Sequence, residues 1–231
     1  IEIPIPPLPI QQEIVRILDT FTELSTNLQT ELEARKKQYA YYRDCLLNFE
    51  GVKGVEWKKL GEITRILRGR RLTKSELLDK GDFPVFHGGI EPLGYYNSYN
   101  RECDTVMIIN VGASAGTIGY SEKNFWSSDG CFCIERIEQI KSKFLYYFLI
   151  GKESFLASKV RKAGIPTLDS LVVENILVPI PPIPIQQEIV RILDQFETLV
   201  NDLSIGLPAE LEARRKQYEY YRDKLLTFDR V

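Results

Sequence analysis

Five positive charges fall within ten residues in Arg65-Ile-Leu-Arg68-Gly-Arg70-Arg71-Leu-Thr-Lys74. A second basic run, Lys159-Val-Arg161-Lys162, leads into the loop Ala-Gly164-Ile-Pro166-Thr167. Between them, a glycine-hinged stretch from Gly88 to Arg101 carries Tyr95, Tyr96, Asn97, Tyr99 and Asn100. Lysine and arginine hold phosphates, whereas Arg and Asn can read base edges and Tyr can pack on sugars or bases. One basic run alone is ordinarily a solvated face. Two runs flanking an amide- and aromatic-rich loop favour a polyanionic ligand read by its bases, with Arg68, Arg70, Arg71, Lys74, Lys159, Arg161 and Lys162 on phosphates or guanine edges. Tyr95, Tyr96, Asn97 and Asn100 would face bases, and His87 and Thr167 complete the candidate set. The small-residue turn Ser114–Thr117 would bring backbone close to the ligand.

Enzyme-like patterns are weaker. Gly112-Ala-Ser114-Ala-Gly116 matches the spacing of a nucleophile elbow, but that motif needs a histidine downstream, and the only histidine, His87, lies upstream. The order His87, Asp104, Ser114 would fit another triad arrangement, yet nothing around these residues supports one. There is no Gly-Lys-Ser/Thr phosphate loop, no dinucleotide fingerprint and no metal-ligand spacing among the carboxylates. Cys45, Cys103, Cys131 and Cys133 offer no zinc spacing. Buried thiols in a reducing, cytoplasmic setting are expected. These absences point away from catalysis and from a metal or cofactor in this chain.

The elements that must position these residues are announced by a repeat. Residues 3–19 and 178–194 are nearly the same sequence, and the match resumes between 31–49 and 210–228. Ile14, Leu18, Phe21, Ser25, Leu28, Leu32, Arg35, Tyr39, Tyr42 and Leu46 alternate in steps of 4 and 3, an a/d seam. Ile189, Leu193, Phe196, Val200, Leu203, Leu211, Arg214, Tyr218, Tyr221 and Leu225 repeat it. Matching positions are 175 apart up to Leu203 and 179 apart from Glu210. The four-residue insertion is a stutter that keeps the seam in phase, and its Gly206 and Pro208 predict a kink or break. The first helix is expected from near Ile10 to about Asn48, a rod of roughly 55 Å. One arm enters the middle region and the other leaves it, so antiparallel pairing is expected.

The middle region, 51–177, carries a charge of +3, against −3 for 1–50 and −2 for 178–231, within a whole-chain charge of −2. Any polyanion contact must therefore be a local patch. Short β-branched or aromatic runs at 55–68, 83–87, 105–111, 117–121 and 131–137 predict strands. Residues 142–149 and 152–160 predict helices, and 168–178 a short helix or turn followed by a strand. The expected fold is α+β: one mixed domain with a twisted, partly closed sheet, and two long antiparallel coiled-coil helices. No apolar run approaches the roughly 18 residues of a membrane span, and no signal-peptide pattern is present.

Several phrases resemble the specificity subunit of type I restriction–modification systems. They are the opening Trp57-Lys-Lys-Leu60-Gly61-Glu-Ile63, the turn at 112–119, and Gly164-Ile-Pro166-Thr-Leu168. The last runs into Ile176-Leu-Val-Pro179-Ile-Pro181-Pro182 and Gln186-Gln187-Glu188-Ile189. The resemblance covers essentially the whole chain and implies a non-catalytic subunit that reads double-stranded DNA. Modification (methyltransferase) subunits using S-adenosylmethionine would be partners, with a restriction subunit using ATP and Mg. It implies a proline-rich remnant of a preceding recognition domain at 1–9, spacer helices at 10–50 and 185–231, and a recognition domain at 51–184. The start at Ile1, inside the repeat, suggests the C-terminal half of a longer subunit, or a half-subunit that would form a homodimer through its long helices. The alternative is a coiled-coil protein-interaction adaptor without DNA binding.

Overall fold

The structure, a computed structural model, describes residues 4–202 and 205–228. Leu203 of the second seam and the first three residues of the proline-rich start lie outside the described residues. The chain divides into two compact units: Ile1–Tyr42 with Ile192–Val231, and Arg43–Arg191.

The first unit is helical. Helix α1 runs Leu8–Leu46, 39 residues and about 58 Å long. It starts two residues earlier than its prolines suggest, because Pro9 falls in the first turn, where its missing N–H has no helical partner to lose. Burial follows the seam: Ile14, Leu32 and Tyr39 are buried and Leu18, Phe21, Ser25, Leu28 and Arg35 half-buried, whereas Tyr42 stays exposed. The two polar seam residues are satisfied locally. Ser25 donates to the Phe21 carbonyl at 2.9 Å, and Arg35 donates to Gln38 at 2.9 Å and Glu31 at 3.4 Å.

The partner arm is two helices, α6 (Ile183–Asn201) and α7 (Leu207–Leu226). The break falls in the four-residue insertion. Gly206 caps α7 and packs on the end of α6 so closely that a Cβ would lie 2.5 Å from the Thr198 carbonyl oxygen. Pro208 sits in the first turn of α7. Phe21 stacks on Tyr221 at 5.4 Å, and Tyr42 stacks on Phe196 at 5.5 Å. The start of α1 therefore meets the end of α7, which makes the arms antiparallel. Phe21 and Phe196 occupy matching repeat positions, as do Tyr42 and Tyr221, so the two stacks are related by an approximate twofold. Arg214, the counterpart of Arg35, donates to Gln217 and Glu210 in the same pattern.

The second unit is mixed. Its strands are β1 (Glu56–Lys59), β2 (Ile66–Arg68), β3 (Phe83–Phe86), β4 (Gly94–Tyr96), β5 (Thr105–Ile109), β6 (Ile118–Ser121), β7 (Trp126–Ser127), β8 (Cys131–Ile134) and β9 (Leu177–Ile180). Its helices are α2 (Leu60–Ile63), α3 (Ser142–Ile150), α4 (Glu153–Lys159) and α5 (Ser170–Glu174), and Lys74–Glu76 forms a 3-10 turn. The strands divide into three sheets, ordered β2-β8-β5-β6, β4-β3-β7 and β1-β9. Strand β1 pairs antiparallel with β9, so the beginning and end of the domain are zipped together. The core between the larger sheets holds Phe86, Met107, Ile109, Phe125, Cys131 and Cys133.

Residues 183–191, the start of α6, belong to this second unit, and Gln186 lies among them. It is fully buried, accepts from the Lys141 N–H at 2.8 Å, and donates to the carbonyls of Gln139 at 2.9 Å and Pro181 at 2.7 Å. Its repeat counterpart Gln11 donates to the Pro6 carbonyl at 2.7 Å, so the repeated sequence folds its proline lead-in the same way twice.

Candidate nucleic-acid interface

The second unit gathers most of the candidate residues into two adjoining groups. The first surrounds the end of β2. Beyond Arg68 the chain turns outward, and the Arg70 N–H donates to the Ser127 carbonyl at 2.9 Å. Gly69 is pressed against the same strand: a Cβ there would lie 2.1 Å from the Ser127 oxygen. The Trp126 indole N–H donates to the Arg70 carbonyl at 2.7 Å, and its ring meets Tyr96 edge-on at 5.0 Å. The Arg68 side chain donates to the Asp129 carbonyl at 3.1 Å. Thr73 holds the Glu76 carboxyl below the usual carboxylate range, with a smaller pull from Arg70, so the turn bearing Lys74 is close to the arginine arm. Arg70, Arg71, Lys74 and Asn97 are exposed.

Asn100 is placed differently from the sequence expectation. Its side-chain amide donates to the Ser127 carbonyl at 3.0 Å and accepts the Ser127 N–H at 2.7 Å. Both ends of the amide are occupied by backbone, so it aligns the loop rather than presenting a free donor–acceptor pair. Tyr95 lies in β4 opposite Pro84 and bridges Leu78.

The second group centres on the turn joining β5 and β6. The Ala115 N–H donates to Gly112, the Gly116 N–H to Ile109 and the Thr117 N–H to Ser114, at 3.1, 2.8 and 3.0 Å. Gly116 has φ +97°, and a Cβ there would press on the Ala157 nitrogen of α4 at 3.0 Å. The Gly112 N–H donates to the Pro166 carbonyl at 2.9 Å. Thr167 bridges both Val111 and Arg161. Ser114, Thr117, Arg161 and Thr167 are thereby neighbours, with exposed Lys159 and Lys162 alongside.

His87 joins the groups. Its Nδ1 lies 3.2 Å from the Ser128 hydroxyl and 3.4 Å from the Asp129 carboxylate. Gly130 fits between His87 and Val111, where a Cβ would lie 2.8 Å from Nδ1 and 2.7 Å from the valine side chain. This Ser-His-Asp proximity is not a catalytic relay, because both partners face the same ring nitrogen and a relay needs opposite ones. Asp104 is hydrogen-bonded to Tyr120 instead. Cys131 and Cys133 are free thiols buried in β8, and the Cys131 thiol is pushed well up by its hydrogen bond with Cys133 and by burial. Among the described residues no group of three or more His, Cys, Asp or Glu could hold a metal ion, and no helix is long and apolar enough to cross a membrane.

Sequence reasoning passed over Trp126 and named Arg101 only as the end of the stretch from Gly88. Trp126 meets Arg70 across 56 residues and Arg101 meets Arg68 across 33, and neither belongs to a periodic pattern. The only signal was the unusual Asn124-Phe-Trp126-Ser-Ser-Asp129-Gly turn, whose polar run brackets a tryptophan.

The family model described as "Type I restriction modification DNA specificity domain" matches residues 1–34 and 53–213. A Mycoplasma pneumoniae protein named as a type I specificity subunit, S.MpnORF615P, is 37% identical over 234 residues, covering 96% of this chain and 91% of that one. The EcoR124I/EcoR124II specificity subunit of Escherichia coli is 35% identical over 253 residues, covering 96% of this chain but 60% of the relative. Among solved structures, the type I restriction–modification S subunit from M. genitalium superposes with a TM-score of 0.72 at 23% identity, over 96% of this chain and 62% of that one. The chain thus spans nearly all of the first relative and under two thirds of the other two.

Proposed function

The chain belongs to the type I restriction modification DNA specificity family, and on that premise we propose that it recognises a specific double-stranded DNA sequence and directs partner methyltransferase and restriction subunits to it. The observation that carries this reading is the convergence of an exposed arginine arm, the Tyr96–Trp126 pair and the Ser114–Thr117 turn, linked through His87 and Gly130, within one unit. Arg70, Arg71, Lys74, Lys159 and Lys162 are exposed cations suited to phosphates or guanine edges. Tyr96 and Asn97 are left to face bases, while Asn100 holds the loop that presents them.

In this reading, residues 51–184 form the recognition domain, and 10–50 and 185–231 the spacer helices. The chain performs no catalysis. Methyl transfer, with S-adenosylmethionine, belongs to the modification subunits, and ATP- and Mg-dependent cleavage to the restriction subunit. The helical unit offers the docking surface. Tyr41 and Tyr220 are 65% and 61% exposed at matching repeat positions, so its approximate twofold presents the same aromatic contact twice. A homodimer through the long helices would bring two recognition domains together.

The test is DNA binding by the assembled methyltransferase carrying Arg70→Ala with Arg71→Ala. Affinity falls by at least tenfold, and the dependence on salt becomes shallower by about one counterion per lost phosphate contact. Unchanged affinity and salt slope would remove the arginine arm from the interface.

A further inference from the structure

Arg101 is an unusual tie. Its guanidinium donates to the Asn100 carbonyl at 2.6 Å and to the Arg68 carbonyl at 3.1 Å. Its Nε is buried and has no hydrogen-bond partner, and among the described residues no carboxylate forms an ion pair with it. Arg101 is half-buried, and the ends of its guanidinium join two carbonyls of segments far apart in the sequence.

What it joins gives the reason. The Arg68 carbonyl is held by Arg101 and the Arg70 carbonyl by the Trp126 indole. The Arg70 N–H is held by Ser127, and Gly69 between them has no room to move toward Ser127. The backbone from which Arg68 and Arg70 project is therefore fastened on both sides of Gly69. Arginine can read a base only if its fork is held in register, since a bidentate contact tolerates little displacement.

We propose that Arg101 and Trp126 are positioning residues for DNA recognition, clamping the Arg68–Arg70 backbone so that its arginines meet the duplex in fixed register. The proposal rests on the DNA-recognition reading above. Lysine at 101 keeps the charge but, as a point donor, does not reproduce a planar fork spanning two carbonyls. Phenylalanine at 126 keeps a ring and removes the N–H.

The experiment measures binding of the assembled methyltransferase to two probes across a salt series: a duplex carrying the motif that the intact system methylates, and the same duplex scrambled. The expected result for Arg101→Lys, and for Trp126→Phe, is a loss of at least tenfold in discrimination between the duplexes with the salt slope unchanged. Arg101→Met, which removes the fork altogether, should lose discrimination likewise. Equal weakening on both duplexes would show a purely structural role and overturn the proposal, as would unchanged discrimination. Should Arg101→Lys not assemble, Trp126→Phe decides, since it tests the same clamp from the other carbonyl. If the wild-type complex does not discriminate at all, the recognition reading fails first, and the positioning roles fall with it.

Discussion

At the scale of single residues, the two glutamines of the repeat show how one sequence does two jobs. Gln186 and Gln11 make the same bond to the carbonyl five residues back, but only Gln186 also holds Lys141 and Gln139. Gln186→Ala leaves the buried Pro181 carbonyl and the part-buried Lys141 N–H and Gln139 carbonyl without their partner, and should destabilise by about 2–3 kcal/mol. Gln11→Ala, at a half-buried site, should change stability by no more than about 0.5–1 kcal/mol. Urea denaturation of the two variants checks the contrast, and equal losses would contradict it. Legibility ran out at this scale for physical reasons. Arg68, Arg70 and His87 draw notice in the sequence because charge and rarity mark them in any context. Asn100 looked like a base reader, but its amide is consumed by Ser127, and a sequence does not show which polar groups the backbone will claim. Trp126 and Arg101 make contacts between distant segments, which no local pattern encodes.

At the scale of elements, the heptad seam was legible because its burial follows directly from spacing: Ile14, Leu32 and Tyr39 are buried where the a/d register places them. The strands at 105–109, 118–121 and 131–134 were legible from their β-branched and apolar runs. Strand β7 was not, because two residues held by pairing with β3 leave no alternation to read. The division into three sheets was likewise invisible, because β1 and β9 pair across the whole domain. The break between α6 and α7 follows from Gly206 and its contact with the Thr198 carbonyl. Gly206→Ala should cost about 1–3 kcal/mol, from overpacking rather than from backbone strain, since its φ of −85° suits any residue. A denaturation midpoint equal to that of the unaltered chain would contradict this account. On the same unit, Tyr41→Ala and Tyr220→Ala each remove an exposed aromatic. Each should weaken assembly with methyltransferase subunits by about 2 kcal/mol, as a buried interface tyrosine does, while leaving thermal stability nearly unchanged. Sedimentation or titration of the reconstituted complex reads the difference, and undiminished assembly in the double variant would place docking elsewhere.

At the scale of the whole molecule, the chemistry is divided by the repeat. Excess positive charge lies in the stretch between the copies, and the copies themselves are acidic and helical. That distribution fits a reader carried between two spacers better than an adaptor whose binding face is the coiled coil alone. The central claim is sequence-specific recognition, and the most direct measurement is genome-wide mapping of DNA methylation in the source cells with this chain present, deleted and restored. One methylated motif, split in two parts, should disappear on deletion and return on restoration. An unchanged set of methylated motifs in the deletion strain, with the partner subunits expressed and active, would contradict it.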